Sequence, residues 1–397
     1  MMNKFGMFIH WGIYSKTGLH EQALARYALD KTEYEKIPNS FNPTLYNPED
    51  WVLLAKKAGM KYICFTAKHH DGFCMWDTKY TDYKITNTPY KKDVLKMLAD
   101  ACKKHGMLLS LYYSNPDWHN EYAYNEKSTH QWCCTNREKS DIEKYKTYIK
   151  NQLTELLTGY GKIYTLFWDI PTNIEDKSMN EHVRSLQPDI LINDRGWDKG
   201  DFSTPERSVP DGARFERMTE ACQSVGEQAW GYRVDEDYFS VRYLTSSIDK
   251  IMAMGGSYLL NVGPNEFGEI PPRSREIIEK VGDWYYRVGE TLENHNQSSK
   301  NLKLRGNIPF VATEKNCKTY IHLYNGIPSS AIAFESGIDV EPKKAILIND
   351  GRELRVRNGL LPGWGNGQGY ANGPFVSIAD IPVDEYESEP MIIELIW

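Results

Sequence analysis

The sequence predicts an α/β protein in which a (β/α)8-like barrel domain over residues 1–297 precedes a small all-β sandwich domain over residues 298–397. The chain of 397 residues is longer than most single compact domains. From residue 5 to about 290, short apolar runs alternate with amphipathic segments of helical period. After about residue 298, short β-type runs follow one another without a convincing helical pattern.

Six mostly apolar runs predict strands of the barrel, because each is short and is followed by polar or helical sequence. They cover residues 5–11, 60–66, 107–113, 163–169, 190–193 and 257–262. Parallel strands joined by helices over nearly 300 residues fit a barrel or a doubly wound sheet, and the length favours the barrel.

Four amphipathic segments predict helices between and after these strands. The first begins at Pro48 with acidic residues in its first turn and stops at Gly59. Capping boxes at 140–143 and 246–249 predict the starts of two more. A fourth begins at Pro271, with apolar residues on one side as far as position 288.

The β domain is predicted from six short runs separated by clusters of Asn, Gly, Pro and Ser. They cover residues 310–313, 318–324, 331–334, 345–348, 353–356 and 391–397, and residues 294–303 are expected to form the linker.

Composition excludes several classes of function. A net charge of −7 without a long Lys/Arg cluster argues against a nucleic-acid partner. No apolar stretch reaches 18 residues, and the first residues lack the pattern of a signal peptide, so we expect a cytoplasmic protein without membrane contact. Seven Cys without a CxxC pair predict reduced thiols rather than a disulfide framework or a zinc site.

Polar residues that could carry chemistry follow the predicted strands, where the strand ends of a barrel meet. Asp169 ends an apolar run and is a candidate nucleophile, although a surface Asp at a strand terminus is the simpler alternative. His69 and His70 are adjacent and would point to opposite sides of an extended chain, which makes chelation of one metal awkward. Imidazoles that hydrogen-bond a polyhydroxylated ligand, or buried structural histidines, fit this pattern better.

Five motifs together resemble the α-L-fucosidases of glycoside hydrolase family 29 in order and spacing. The resemblance covers about residues 5–290, and the motifs are Phe8-Ile9-His10-Trp11-Gly12, Lys68-His69-His70-Asp71-Gly72-Phe73, Asn193-Asp194-Arg195, Trp230-Gly231-Tyr232 and the run from Gly255 to Pro264. The resemblance implies a retaining exo-glycosidase that acts on a fucosylated glycan or a small fucoside, without metal or organic cofactor.

The resemblance also implies roles for individual residues. Asp169 matches the nucleophile of the family, and a nearby Arg195 would keep it ionised. The predicted sugar-binding residues are His10, Trp11, Glu21, His69, His70, Tyr113, Phe167, Arg195, Glu220 and Trp230.

The general acid/base is open between two glutamates. Glu206 lies in a loop after the strand that bears Arg195 and resembles the loop acid of the family. Glu220 aligns with a Trp-Glu-x-Cys motif, but Thr219 replaces the Trp. The sequence favours Glu206.

The chain departs from the family around the nucleophile and in the first loop. Phe167 stands where the family often has Trp, and Ile170 replaces the usual Gly. Glu21 lacks the neighbouring Trp that forms a wall of the site in relatives. A homo-oligomer, in which a neighbouring subunit covers this wall, is an open alternative that an active monomer would refute.

These departures motivate a second hypothesis, a sugar-binding pseudoenzyme that keeps the pocket but lacks competent acid/base geometry. A metal-dependent amidohydrolase built on His69 and His70 is the third. Chelator-sensitive activity would be its signature.

Overall fold

The computed structural model describes residues 4–135, 137–212, 214–334, 341–360 and 375–397. A parallel sheet of seven strands comes first in the chain, and an antiparallel sheet of eight strands follows. This confirms the predicted fold class of an α/β domain followed by an all-β domain. The boundary at residues 297 and 298 stays a prediction, although the second sheet already includes residues 296–297.

The parallel sheet has the strand order β5-β4-β3-β2-β1-β7-β6. Its strands are β1 (Phe5–Ile9), β2 (Tyr62–Lys68), β3 (Leu108–Ser114), β4 (Ile163–Asp169), β5 (Leu191–Ile192), β6 (Glu220–Ser224) and β7 (Ser257–Val262). Isolated parallel bridges join Asn193 to Phe202, Ser203 to Thr219 and Glu206 to Cys222. The segment 202–206 therefore lies between the two edge strands, and this segment, rather than an eighth regular strand, connects the edges of the curled sheet.

The helices of the described chain lie between or after these strands, as the predicted alternation requires. They are α1 (Ala23–Arg26), α2 (Lys31–Tyr34), α3 (Pro48–Lys57), α4 (Val94–His105), α5 (Ile142–Gly159), α6 (Lys177–Leu186), α7 (Val241–Ala253) and α8 (Pro272–Leu292). Within the described ranges, no helix combines the length and the apolar content needed to cross a bilayer.

The helix starts were predicted with mixed success. Helix α3 begins at Pro48 as expected, and the cap of α5 is Asp141, whose side chain accepts from the Lys144 amide. The predicted start of α7 at 246–249 was wrong. Ser240 caps this helix by accepting from the Tyr243 amide, so the predicted capping box lies inside it.

The sheet is buried on both faces. One face of the strands forms the barrel interior, with a small cluster of Phe8, Tyr62, Cys64, Tyr112, Phe167, Cys222 and Leu259. The other face packs on the helices in the large core of the domain. Because side chains alternate along a strand, this division decides which residues can reach a site inside the barrel.

The second sheet has the strand order β11-β14-β13-β12-β15-β10-β9-β8, with antiparallel neighbours throughout. Its strands are β8 (Asn296–Gln297), β9 (Val311–Lys315), β10 (Lys318–Leu323), β11 (Ala331–Phe334), β12 (Lys344–Leu347), β13 (Glu353–Leu360), β14 (Phe375–Ala379) and β15 (Met391–Ile396). Ile321, Phe334 and Leu395 are among the residues of its separate apolar core.

A buried histidine–aspartate pair connects the all-β domain to the α/β domain. His322 on β10 and Asp249 on α7 are both fully buried, and His322 Nδ1 lies 2.8 Å from Asp249 Oδ1. The other ring nitrogen lies 3.0 Å from the Thr313 hydroxyl.

We expect His322→Ala to lower the free energy of unfolding by about 3 kcal/mol, because it leaves a buried carboxyl without its partner. The urea midpoint measured by tryptophan fluorescence should fall accordingly. Asp189→Ala is the control, since the pair of Asp189 with Lys162 is largely exposed and should leave the midpoint unchanged. An unchanged midpoint in His322→Ala would contradict a structural role for the pair.

Candidate active site

A cavity of about 390 Å³ opens at the carboxyl ends of the parallel strands. Asp169 is the last residue of β4, while His10 follows β1 and His69 follows β2 directly. The cavity is lined by Phe8, His10, His20, Glu21, Gln22, Arg26, His69, Tyr112, His130, Phe167, Asp169, Ile170, Arg195, Glu206, Arg207, Cys222, Glu227, Gln228 and Trp230. Most of the predicted site residues therefore share one cavity.

Asp169 is held by three side chains. Tyr112 donates its hydroxyl to Oδ2 at 2.7 Å, and Arg195 Nη1 donates to Oδ1 at 3.1 Å. His70 Nε2 lies 3.7 Å from Oδ2. Burial alone would raise the pKa of Asp169, but the charge of Arg195 and these contacts outweigh it and hold the pKa below its usual range. The cavity thus contains an ionised carboxylate at neutral pH.

Arg195 connects Asp169 to Glu206. Its Nη1 donates to Glu206 Oε2 at 2.7 Å as well as to Asp169. Its Nε donates to the Thr204 hydroxyl at 2.8 Å, and Nη2 donates to the Thr204 carbonyl at 2.7 Å. The guanidinium also lies over the Phe167 ring at 5.4 Å. These contacts fix the orientation of a permanently charged group between two carboxylates.

Glu206 belongs to the segment that connects the edges of the curled sheet. Glu206 forms a parallel β-bridge with Cys222 of β6. The backbone amide of the next residue, Arg207, donates to the Cys222 carbonyl at 3.0 Å. The Glu206 side chain is 39% exposed, against 13% for Asp169. One carboxylate is thus enclosed, and the other reaches solvent at the mouth of the cavity.

Three histidines surround the carboxylates in neutral form. His10 Nδ1 lies 2.7 Å from Asn261 Oδ1, and His70 Nδ1 lies 2.6 Å from the Ser114 hydroxyl. The His69 ring stacks on Tyr112, with centroids 5.6 Å apart. Burial lowers the pKa of His10 and of His69, and lowers that of His70 to about 4. A neutral imidazole can donate and accept, as binding of hydroxyl groups requires.

Glu21 lines the cavity and also holds one of its walls. Its Oε2 accepts from the backbone amides of Trp230 at 2.9 Å and Gly231 at 3.0 Å. The Trp230 ring stacks on His10, with centroids 5.3 Å apart. The first loop and the loop after β6 therefore meet at the cavity.

The predicted role of Tyr113 was wrong, because its side chain lies on the other face of β3. Its hydroxyl donates to Gln152 at 2.6 Å, and its ring lies under Lys68 Nζ at 4.3 Å. Strand alternation places Tyr112 inside the barrel instead, where it contacts Asp169.

Trp11 and Glu220 also lie outside the cavity lining. The Trp11 ring packs on Trp51 and Tyr46, and its Nε1 donates to the Asn265 carbonyl at 2.9 Å. Glu220 is fully buried in the barrel and accepts from Tyr62 at 2.5 Å. It lies two residues before Cys222 on β6, deeper than the lining. Neither residue is placed to contact a ligand in the cavity.

Sequence reasoning missed several lining residues, among them Tyr112, His130 and a further carboxylate, Glu227. Strict alternation along β3 could have found Tyr112. Glu227 and His130 lie in loops, where no periodic signal indicates the direction of a side chain.

Burial raises the pKa of Glu220 to about 7, and this predicts a pH-dependent stability. The folded pKa lies above the unfolded one, so the native state binds the extra proton and loses stability as the pH rises from about 4.5 to about 7. We expect the free energy of unfolding of wild type, measured as its difference from that of Glu220→Gln, to fall by up to about 3 kcal/mol across that window. Urea titrations at several pH values measure the difference. Glu387→Gln, at an exposed position, should show no such trend.

The histidines do not form a metal-binding set with neighbouring side chains. In residues 4–135, 137–212 and the other described ranges, no group of three or more His, Cys, Asp or Glu has the geometry to hold a metal ion. The amidohydrolase hypothesis gains no support from this arrangement.

Comparison with known proteins identifies one family. A family model described as Alpha-L-fucosidase matches residues 2–290. The plasma alpha-L-fucosidase of Homo sapiens is 26% identical over 349 residues, which are 80% of this chain and 73% of that protein.

Solved structures agree with the family model. Alpha-L-fucosidase isoenzyme 1 from Paenibacillus thiaminolyticus is 32% identical with a TM-score of 0.85, over 100% of this chain and 97% of that one. A family 29 fucosidase from Bacteroides thetaiotaomicron, trapped as a covalent intermediate with 2-fluoro-fucosyl fluoride, is 26% identical with a TM-score of 0.78, over 99% and 94%. The chain therefore belongs to the α-L-fucosidase family of glycoside hydrolases, family 29.

Proposed function

We propose that the protein is a retaining exo-α-L-fucosidase that removes terminal α-L-fucose from glycans or small fucosides. Asp169 acts as the nucleophile and Glu206 as the general acid/base. The observation that carries the proposal is the shared contact of both carboxylates with Arg195 Nη1 at the wall of one cavity.

The spacing of the two carboxylates supports retention of configuration. Asp169 Oδ1 and Glu206 Oε2 lie 3.1 and 2.7 Å from Arg195 Nη1. These two oxygens can therefore be no farther apart than the sum of the two distances. This is less than the roughly 6.5–9.5 Å that an inverting enzyme needs to admit a water molecule. The upper limit is compatible with the separation of about 5–5.5 Å found in retaining enzymes.

The first step forms a bond from Asp169 to the anomeric carbon. Asp169 attacks from the face opposite the leaving group, the glycosidic bond breaks, and Glu206 gives its proton to the departing oxygen. In the second step Glu206 takes a proton from water, whose oxygen displaces Asp169 and releases α-L-fucose. Two inversions return the original configuration.

The contacts in the free protein fit these roles. Asp169 is ionised, as a nucleophile must be, because the charge of Arg195 and the hydrogen bonds from Arg195 and Tyr112 lower its pKa against the effect of burial. Glu206 must leave Arg195 to protonate a leaving group, and its exposed position at the mouth leaves room for this movement. Neutral His10 and His69, which line the cavity, can exchange hydrogen bonds with sugar hydroxyls that tighten in the transition state, whereas the predicted sugar ligand His70 is not among the lining residues and lies beside Asp169.

The pseudoenzyme alternative is not favoured. The named relatives are α-L-fucosidases, and Asp169 and Glu206 both line the cavity despite the departures at Phe167, Ile170 and Thr219. Ile170 has a φ of +62°, a left-handed conformation that Gly adopts without strain, which explains why Gly is usual in the family at this position.

The experiment that tests the proposal follows hydrolysis of 4-nitrophenyl α-L-fucoside by proton NMR. The α anomer of fucose should appear first and mutarotate later. First release of the β anomer would contradict retention. Absence of turnover, with fucose still raising the melting temperature, would support the pseudoenzyme.

Two further expectations stay predictions. The first is the cytoplasmic location expected from the sequence. A homo-oligomer is tested by measuring activity and molar mass on the same sample.

A further inference from the structure

Asn115 joins three strand ends at the site without lining the cavity. It directly follows β3, it is 4% exposed, and it is not among the lining residues. Its backbone amide donates to the Asp169 carbonyl at 3.0 Å, which extends the pairing of β3 with β4 by one residue. Asn115 is therefore adjacent to the nucleophile along the sheet but outside the surface that a ligand contacts.

The side-chain amide of Asn115 donates to three backbone carbonyls. Nδ2 lies 3.1 Å from the carbonyl oxygen of Asp169, 2.9 Å from that of Ile170 and 3.1 Å from that of Arg195. The amide has two hydrogens for three acceptors, so at least one hydrogen is shared. The opposite orientation would place Oδ1 against three oxygens, so the network decides which atom is the nitrogen. One nitrogen thus holds the main chains of Asp169 and Arg195 together.

Asn115 is itself held by two buried contacts of its segment. Tyr145 on α5 donates its hydroxyl to the Asn115 carbonyl at 2.7 Å. Two residues further on, Asp117 forms a buried ion pair with Nζ of Lys68, the last residue of β2, at 2.8 Å. The segment is therefore fixed to α5 and to β2, and Asn115 extends its amide from a rigid base.

The main chain that Asn115 holds is strained. Ile170 has a φ of +62°, which is an outlier for a β-branched residue and persists only where the surroundings impose it. The bond from Asn115 to the Ile170 carbonyl is one such constraint. On the other side of Asp169, the Asn193 side chain accepts from the Trp168 amide at 2.9 Å and donates to the Trp168 carbonyl at 2.8 Å. Amide side chains thus hold the chain before and after the nucleophile.

The relative position of these main chains sets the geometry of the reacting groups. Arg195 Nη1 donates to Asp169 Oδ1 at 3.1 Å, and the same nitrogen contacts Glu206 at 2.7 Å. A shift of Asp169 against Arg195 changes the direction in which the carboxylate presents its free lone pairs. Attack on a carbon requires an aligned approach from about 3–3.5 Å, so such a shift slows the reaction.

From these contacts we infer that Asn115 is a positioning residue of the reaction, which orients Asp169 toward the anomeric carbon by fixing its main chain against that of Arg195. The inference rests on the proposed function and adds a residue that touches neither the substrate nor the reacting atoms. The amide is neutral, so it holds the carbonyls without competing with Arg195 for the Asp169 carboxylate.

The experiment measures the step in which Asp169 attacks, with 2-fluoro-fucosyl fluoride as the probe. Fluoride leaves with little protonation, so labelling reports the nucleophile and not the general acid. Intact-protein mass spectrometry follows the labelled fraction over time at several concentrations of the probe. This separates the maximal rate constant of labelling from the concentration that gives half of it. The labelled fraction at the end point counts the folded molecules and distinguishes unfolding from a slower attack.

We expect Asn115→Ala to lower the maximal rate constant of labelling about tenfold to hundredfold, because a displacement on the order of 1 Å at the reacting atoms has an effect of this size. The concentration for half-maximal labelling should change less than about threefold, since Asn115 lies outside the cavity lining. Asn115→Ser keeps one hydrogen to donate on a shorter side chain and should show a smaller loss. It decides the question if Asn115→Ala does not fold.

Asn180→Ala is the matched control. Asn180 on α6 is 2% exposed, accepts from Trp168 Nε1 at 3.0 Å and donates to Asp198 at 2.6 Å. The control therefore removes a buried amide beside the same strand, but one that bonds no backbone carbonyl of the site. Its melting temperature should fall, while its maximal rate constant of labelling should stay within about twofold of wild type.

A maximal rate constant within threefold of wild type in Asn115→Ala, or in Asn115→Ser as the only folded variant, would overturn the inference. An equal loss in Asn180→Ala would also overturn it, because any buried amide near β4 would then have the same effect. In both cases the proposed function would stand. A wild-type protein that neither hydrolyses 4-nitrophenyl α-L-fucoside nor takes up the label would overturn the proposed function itself.

Discussion

Asp169→Asn is expected to lower kcat for fucoside hydrolysis by at least about 10⁴-fold, the largest effect of any single substitution in this chain. The amide is nearly isosteric but is not a nucleophile, so no covalent intermediate can form. Tyr112 and Arg195 donate to different carboxylate oxygens, so in the amide Oδ1 can still accept from Arg195 while Nδ2 donates to the Tyr112 hydroxyl, and the surroundings can stay in place. Release of 4-nitrophenol from 4-nitrophenyl α-L-fucoside measures the loss.

The control for this substitution is Asp189→Asn. The Asp189 side chain is 83% exposed and is not among the residues that line the cavity. It should have the activity of wild type. Asp169→Gly with added azide gives a second readout, because azide entering from the nucleophile's side yields β-fucosyl azide. Activity within tenfold of wild type in Asp169→Asn would exclude this residue as the nucleophile.

Glu206→Gln is expected to lower kcat for poor leaving groups by about 10²–10⁴-fold. Substrates with good leaving groups need little protonation, so their glycosylation step should be far less affected. For substrates with good leaving groups, azide should restore turnover and yield α-fucosyl azide, because it attacks the covalent intermediate from the face that water uses. The configuration of the azide therefore separates the roles of Asp169 and Glu206.

Glu220→Gln is the matched control, since Glu220 is fully buried below the cavity lining. It should keep the kcat of wild type for the same substrates. If Glu206→Gln is fully active, the acid/base role would pass to Glu227, the unassigned carboxylate of the lining. A loss in Glu220→Gln with azide rescue would contradict the assignment made from the geometry.

Much of the fold could be predicted because its signals are periodic. Runs of apolar residues located six of the seven strands of the parallel sheet within a few residues, and the end of β4 at Asp169 was predicted correctly. Strand β6 was missed, since Glu220 and Gln223 interrupt its apolar pattern although both are buried. Strands β8 and β14 of the second sheet were missed, and β8 lies within the predicted linker 294–303. The start of α7 was wrong because Ser240 and Ser246 are both good caps, and only packing decides between them.

The site was predicted best for residues that end a strand or follow it within a few positions. His10, His69, Asp169 and Arg195 meet at the cavity because the ends of parallel strands converge. The assignment of Tyr113 to the site was wrong because it was made by matching positions to the family rather than from strand alternation, which places Tyr112 inside the barrel. The sequence favoured Glu206 over Glu220 but left the choice open, since the burial of Glu220 depends on neighbours such as Tyr62 that are distant in the chain.

The most direct test of the central claim is covalent trapping with 2-fluoro-fucosyl fluoride, followed by mass spectrometry of the intact protein and of its peptides. The account predicts one fluorofucosyl group per chain, attached to Asp169 and lost slowly on dilution. A label on another residue, or no label in a preparation that turns over 4-nitrophenyl α-L-fucoside, would contradict it.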